Sequence, residues 1–236
     1  MRILVVNDDG IKAEGLRALV DWAQRLGEVS VFAPAVEQSG KSVSLELHKS
    51  FHAEKVDYEG AVEAYAVEST PVDCVRLPVL GLGRKYDLVL SGINRGMNIG
   101  FDINYSGTVG AVCEAAMLGM KAVAVSALAT SLDSAVANLD RVYDYFIERD
   151  LLSVNSSYNV NFPKSPGEIV ITRQGGVYYS DTYPDLGGCT YQPTAVMKHN
   201  DVGDITIDAD AVKRGYISVS PLTYERTNYR VFEMLK

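Results

Sequence analysis

The amino-acid sequence predicts a doubly wound α/β core with a mostly parallel sheet, followed by β-rich C-terminal arms. Three observations carry that prediction. Short apolar runs at residues 3–6, 29–33, 87–90 and 122–125 read as strands covered on both faces. Between them, apolar residues recur at helical spacing. A strand–helix–strand crossover returns the chain in the same direction, so these strands lie parallel in one sheet.

Taken in order, Ile3 to Val6 is the first buried strand. Leu16, Leu19, Val20, Ala23 and Leu26 form the stripe of the first helix, which Gly27 stops. Val29 to Ala33 is the second strand, closed by Pro34, and a polar loop follows from Glu37 to Ser42. Residues 43–68 alternate apolar with polar or aromatic side chains and predict antiparallel or edge strands. A short helix is expected over Pro71 to Leu77, a buried strand over Asp87 to Leu90, and a long Gly/Asn-rich loop from Ser91 to Gly107. Val109, Val112, Cys113, Ala116 and Met117 make the next helix stripe, and Ala122 to Val125 the next strand. Leu132, Ala135, Val136, Leu139, Val142, Tyr143 and Phe146 predict one long helix. Past about residue 155 the β/α alternation gives way to short β-like pieces at 169–172, 190–197 and 216–219. Seven of the fourteen tyrosines lie from Tyr178 onward, and such arms suit contacts between subunits. The whole is expected to be a single domain over 1–236, with a core over about 1–155 and an oligomerisation extension over about 156–236.

Composition narrows the function. Acidic residues (30) exceed basic ones (22), a net charge of −8, which argues against a nucleic-acid polymer as partner because phosphate backbones need a basic face. A small phosphorylated ligand remains compatible if a local element, such as a bound cation, supplies positive charge. Cys74, Cys113 and Cys189 form no disulfide or zinc spacing and read as small core residues. No secretory signal and no apolar run of membrane-spanning length is visible, so a soluble cytoplasmic protein with free thiols and no membrane partner is expected.

In doubly wound sheets ligands bind beyond the carboxyl ends of the strands. Asn7-Asp8-Asp9-Gly10 follows the first strand, Ser39 sits in the loop after the second, and Ser91-Gly92-Ile93-Asn94 follows the 87–90 strand. These loops carry two carboxylates, a hydroxyl and a carboxamide, without thiol or imidazole. Oxygen donors of this kind suit Mg²⁺, Mn²⁺ or Ca²⁺ rather than zinc or copper. Adjacent carboxylates repel unless a cation or proton lies between them, so Asp8 and Asp9 point to a divalent metal. Asp-Asp-Gly is also a common turn; its position after a buried strand, with matching oxygen-bearing loops elsewhere, favours the metal. Ser106-Gly107-Thr108 opens a helix whose N-terminus offers free N–H groups to an anion, or is simply capped by Ser106 or Thr108. Metal and helix terminus together point to phosphoester chemistry. The metal would polarise a phosphoryl oxygen and lower the pKa of water; an Asp would accept a proton or, in a competing route, attack phosphorus. Asp8 and Asp9 are read as catalytic mainly through holding the metal. His48, His52 and His199 read as surface or edge-strand residues, and Arg84-Lys85 as a solvated loop.

These residues resemble the survival protein E (SurE) family of metal-dependent 5′-nucleotidases. The likeness runs in order through Asn7-Asp8-Asp9-Gly10, Ala33-Pro34 with Gln38-Ser39-Gly40, Thr70-Pro71-Val72-Asp73, Ser91-Gly92-Ile93-Asn94 with Gly96, Asn98 and Gly100, and Tyr105-Ser106-Gly107-Thr108. It continues through Asn159-Val160-Asn161-Phe162-Pro163, Thr172-Arg173-x-Gly175, and Gly215 to Leu222. The resemblance implies one divalent metal ion per subunit, Mg²⁺ or Mn²⁺, held by Asp8, Asp9, Ser39 and Asn94. It implies a phosphate pocket bordered by Asn98, Ser106, Gly107 and Thr108. The implied reaction is hydrolysis of nucleoside 5′-monophosphates to nucleoside and phosphate, with 3′-nucleotides and short polyphosphate as further substrates of some members. A Rossmann-like core and a C-terminal extension exchanged in homodimers or homotetramers are implied as well.

The chain departs from the family pattern at Lys12-Ala13-Glu14-Gly15, where a proline is frequent, and at Lys41, where small residues are frequent. Both bear on substrate choice more than on reaction class. Two other classes share part of this pattern. A receiver-like Mg²⁺-binding signalling domain needs a phospho-accepting Asp where Ser91 to Asn94 stands, and is roughly half as long. A non-enzymatic nucleotide-binding module would keep the helix N-terminus but not need Asp8 and Asp9.

Overall fold

In the computed structural model, which describes residues 1–236, the apolar runs become strands and the stripes become helices. In chain order these are β1 (Arg2–Val6), α1 (Glu14–Ala23), β2 (Glu28–Pro34), β3 (Ala53–Lys55), β4 (Glu63–Val67), α2 (Pro71–Arg76), β5 (Leu88–Arg95), α3 (Gly107–Met117), β6 (Lys121–Ala127), α4 (Leu132–Val136), α5 (Leu139–Glu148), α6 (Leu151–Val154) and β7 (Ser157–Phe162). Then follow β8 (Ile169–Ile171), β9 (Tyr179–Thr182), β10 (Asp185–Gly187), β11 (Thr190–Tyr191), β12 (Thr194–Met197), α7 (Asp208–Lys213), β13 (Ile217–Pro221) and α8 (Tyr229–Leu235). Nine strands form one sheet in the order β3-β4-β2-β1-β5-β6-β7-β13-β8. The run from β4 to β7 is parallel throughout; β3 pairs antiparallel with β4, and β13 antiparallel with β7.

Side chains alternate across this sheet and bury into two layers. Ile3, Val5, Leu88 and Leu90 face α1 and α5 and pack on Leu16, Leu19, Val142 and Phe146. Leu4, Val6 and Val89 face the other way, onto α2 and α3 at Cys74, Val75, Val109 and Val112. Double coverage is why these strands read as unbroken apolar runs. Thr70 starts α2 by accepting the Asp73 N–H on its side chain, with Pro71 at the first helical position.

Several expectations are corrected. The stretch expected as a loop from Ser91 begins as strand: β5 runs on to Arg95 and pairs with β6, its register shifting between Ser91 and Asn94. Gly92 makes this bulge possible, at φ +138°, with no room for a Cβ against the Val125 carbonyl. Further along the same stretch, residues 100–105 form a 3₁₀ turn. The single helix expected over 132–146 is two, because the Asn138 side chain donates to the Ser134 carbonyl at 2.8 Å and the backbone turns there. In the 43–68 region, β3 is the antiparallel edge strand, whereas β4 lies parallel to β2. The sheet does not end near residue 155: β7, β8 and β13 complete it, and only β9 to β12 form separate two-stranded pieces. Cys74 is buried, but Cys113 is half-buried and Cys189 exposed; all three are free thiols. His48 and His52 are exposed as expected, whereas the His199 ring is buried, with Nε2 2.6 Å from the buried Asp210 carboxylate. No helix is long and apolar enough to cross a membrane.

Candidate active site

The carboxyl end of β1 is fixed before any acidic group is considered. Asn7 is fully buried; its Nδ2 donates to the Gly10 carbonyl and its Oδ1 accepts the Gly10 N–H, closing a tight turn. The Gln38 N–H donates to the Asp8 carbonyl at 2.7 Å, tying this turn to the loop after β2. Two carboxylates leave this frame in different directions.

Asp8 is 4% exposed and faces α3. Thr108 Oγ1 donates to its Oδ1 at 2.5 Å. Gly107 packs directly on it: a Cβ there would lie 2.9 Å from Asp8 Cβ and 3.0 Å from Oδ2, so only glycine lets the helix start this close. Ser106 caps α3, its Oγ accepting the Val109 N–H at 3.1 Å. Asp9 turns the other way, and its Oδ2 accepts the Arg95 N–H at 3.0 Å. Beside it opens a cleft of about 750 Å³, lined by Asp9, Glu37, Ser39 and Asn94 among others. Ser39 is exposed, and its hydroxyl donates to Glu37. Asn94 Nδ2 donates to the Gly96 carbonyl, which leaves its Oδ1 as the atom free to meet a cation.

Burial pushes the Asp8 carboxyl up to about 6; the Thr108 hydrogen bond opposes this and the neighbouring Asp9 charge adds to it. Asp9 is raised too, by burial and by repulsion from Glu37, against the lowering effect of the Arg95 N–H. Neither carboxylate belongs to any salt bridge in the molecule. The chain assembles no group of three His, Cys, Asp or Glu side chains for a metal, so a cation here would rest on two carboxylates plus neutral oxygens. That donor set fits a hard divalent ion.

Asn98, expected to border the phosphate pocket, is buried and held by its neighbours. It is 7% exposed; Nδ2 donates to Ser126 Oγ, its N–H donates to Asn161 Oδ1, and its carbonyl accepts from Asn159 and Asn161. Arg95 and Glu37 join the site beyond the residues expected from the sequence. β5 runs five residues past the apolar stretch that ends at Leu90, and only because it reaches residue 95 does that residue's N–H meet Asp9.

Residues 3–181 match the family model described as Survival protein SurE. The chain belongs to the SurE family. A relative from Geotalea uraniireducens (strain Rf4), named 5′-nucleotidase SurE, is 40% identical over the whole of this chain and 98% of its own. One of the same name from Thermoanaerobacter pseudethanolicus is 36% identical over the whole chain and 97% of its own. The crystal structure of the SurE protein from Aquifex aeolicus superposes with a TM-score of 0.83 at 31% identity, covering the whole of this chain and 98% of that one. The α/β architecture with a mostly parallel sheet is therefore that of SurE proteins.

Proposed function

We propose that this SurE protein is a 5′-nucleotidase: a phosphohydrolase that cleaves nucleoside 5′-monophosphates to nucleoside and inorganic phosphate with the help of one divalent cation, Mg²⁺ or Mn²⁺. The observation that carries the reading is the Asp8–Asp9 pair beside a helix N-terminus, Asp8 buried and Asp9 half-buried, with neither carboxylate in a salt bridge. Asp8, Asp9, Ser39 and Asn94 would hold the cation. When bound, it would supply charge neutralisation at the phosphoryl oxygens.

The remaining work falls to the chain's own groups. Thr108 orients Asp8, and the Arg95 N–H orients Asp9, so both carboxylates are fixed before substrate arrives. Ser106 and the first turn of α3 offer N–H and O–H donors to the phosphoryl group, with Asn98 bracing the segment that leads there. Asp8 is enclosed on the α3 side and Asp9 is held from β5, a geometry for gripping rather than for attacking phosphorus. Water is therefore the nucleophile in this reading: its oxygen bonds to phosphorus, the P–O bond to the nucleoside breaks, and a proton passes to the leaving oxygen. Asn94 stands where a receiver domain would need its phospho-accepting Asp, so that alternative finds no support.

The test is phosphate release from nucleoside 5′- and 3′-monophosphates and short polyphosphate, each with Mg²⁺, Mn²⁺ or chelator. Release from 5′-monophosphates that stops with chelator is expected; equal release with chelator would remove the cation from the reaction.

A further inference from the structure

Beside Asp9, Ser39 and Asn94 the cleft runs on between the start of α1 and the end of β6, over a wall that the phosphate chemistry does not use. Leu128 stands there 39% exposed, yet its backbone is fixed: its carbonyl accepts both the N–H and the Oγ–H of Ser131, at 2.9 and 3.1 Å. Leu132 continues the apolar wall. Arg95 lines the same cleft, its backbone paired with Ala127 across β5 and β6, one residue from Leu128. Arg95 and Lys12 line the cleft and enter no salt bridge, although Asp9, Glu14 and Glu37 line it too.

The other side of the carboxylate pair is closed. The Ser42 N–H donates to the Tyr105 carbonyl at 3.1 Å, and Ser42 Oγ donates to the Asn104 carbonyl at 2.6 Å, so the loop after β2 is laced to the segment leading into α3. Open space next to the carboxylate pair lies in the cleft that Asp9, Ser39 and Asn94 line, and it is there that the organic half of a phosphate ester held at the pair would find room. Resting on the phosphohydrolase reading, we propose that this cleft is the leaving-group subsite: the nucleoside base lies between Leu128 and the Arg95 guanidinium, with Lys12 at the rim. A volume of about 750 Å³ suits a ligand of that size, being within the roughly 300–1,000 Å³ of small-molecule sites. Arg95 offers donors and no acceptor, and its planar group stacks on flat rings, so it selects a base with ring nitrogens or carbonyl oxygens.

Two measurements test this. In the first, kcat/KM for AMP is divided by that for ribose 5-phosphate, which lacks the base. Leu128→Ser and Arg95→Ala, the latter keeping the N–H that holds Asp9, are each expected to lower this ratio about tenfold; an unchanged ratio overturns the subsite. In the second, 8-azido-AMP is photolysed with the full-length protein. Saturable label in residues 127–132 or 93–96 is expected, and label confined to other segments, or none, overturns the proposal. If the wild type hydrolyses neither ester, the phosphohydrolase reading falls, while the labelling still decides where the nucleoside sits.

Discussion

Asp8 is an acid that burial makes reluctant to ionise, and this has a direction in pH. Its folded pKa of about 6 exceeds its ordinary value of 3.8. Between those values the folded, metal-free chain keeps a proton that the unfolded chain has released, so stability falls as pH rises from about 4 to about 6. The loss attributable to Asp8 amounts to roughly 3 kcal/mol at neutral pH. Asp8→Asn should flatten this slope in chelator, and Mn²⁺ should restore stability to the wild type but not to the variant. Urea unfolding across that pH range reads both; an identical slope in the variant would show that Asp8 carries no such penalty. Thr108 acts one shell further out. Thr108→Val removes the hydroxyl donated to Asp8 while keeping the shape, and should weaken Mn²⁺ binding about 10–100-fold, as lost supporting hydrogen bonds to metal ligands do. Unaltered affinity by titration would make the contact merely structural. The chemistry of Asp8 and Asp9 was legible because two acids at the end of an apolar strand are electrostatically unusual. The reach of Thr108 to Asp8, a hundred residues earlier, was not, because no local pattern records it.

At the scale of elements, the N-terminus of α3 has two roles that one substitution can separate. Ser106→Ala removes the side-chain cap, and should cost about 1 kcal/mol of stability. If the hydroxyl also meets phosphate, the inhibition constant of inorganic phosphate should rise several-fold as well; a lower Tm with an unaltered constant would reduce Ser106 to a cap. Elements with a single strong period were readable, as β1, α1 and β6 are. The failures are physical. Gly92 lets β5 continue through a bulge that looks like a loop in the sequence. Asn138 breaks an apolar stripe that has no break in periodicity, because its amide competes for a backbone carbonyl. β7 is not legible as a buried strand because its alternate positions are Asn159 and Asn161, polar groups buried against Asn98 rather than exposed to water.

For the molecule as a whole, the piece from β9 to β12 is the part with large side chains left uncovered: Tyr183, Leu186, Tyr191 and Met197 are each more than half exposed. Large apolar side chains left uncovered in this way are expected to bury themselves against another copy of the chain. Replacing residues 180–196 by a Gly/Ser linker leaves every strand of the main sheet in place and should lower the mass seen by light scattering from a dimer or tetramer to a monomer; an unchanged mass would leave the arms without that role. A cut near residue 175 would be a poor substitute, since β13 would go with it. That strand lies between β7 and β8, with Thr172 Oγ1 within hydrogen-bonding distance of Ser218 and Ser220 across it. Its place in the sheet bears on synthesis. Until residue 221 has cleared the ribosome, the emerging polypeptide has a gap in its sheet and unpaired edges facing it. A product terminated after α7 lacks β13, so β7 and β8 keep unpaired edges, and it would be a client for chaperones rather than a smaller enzyme.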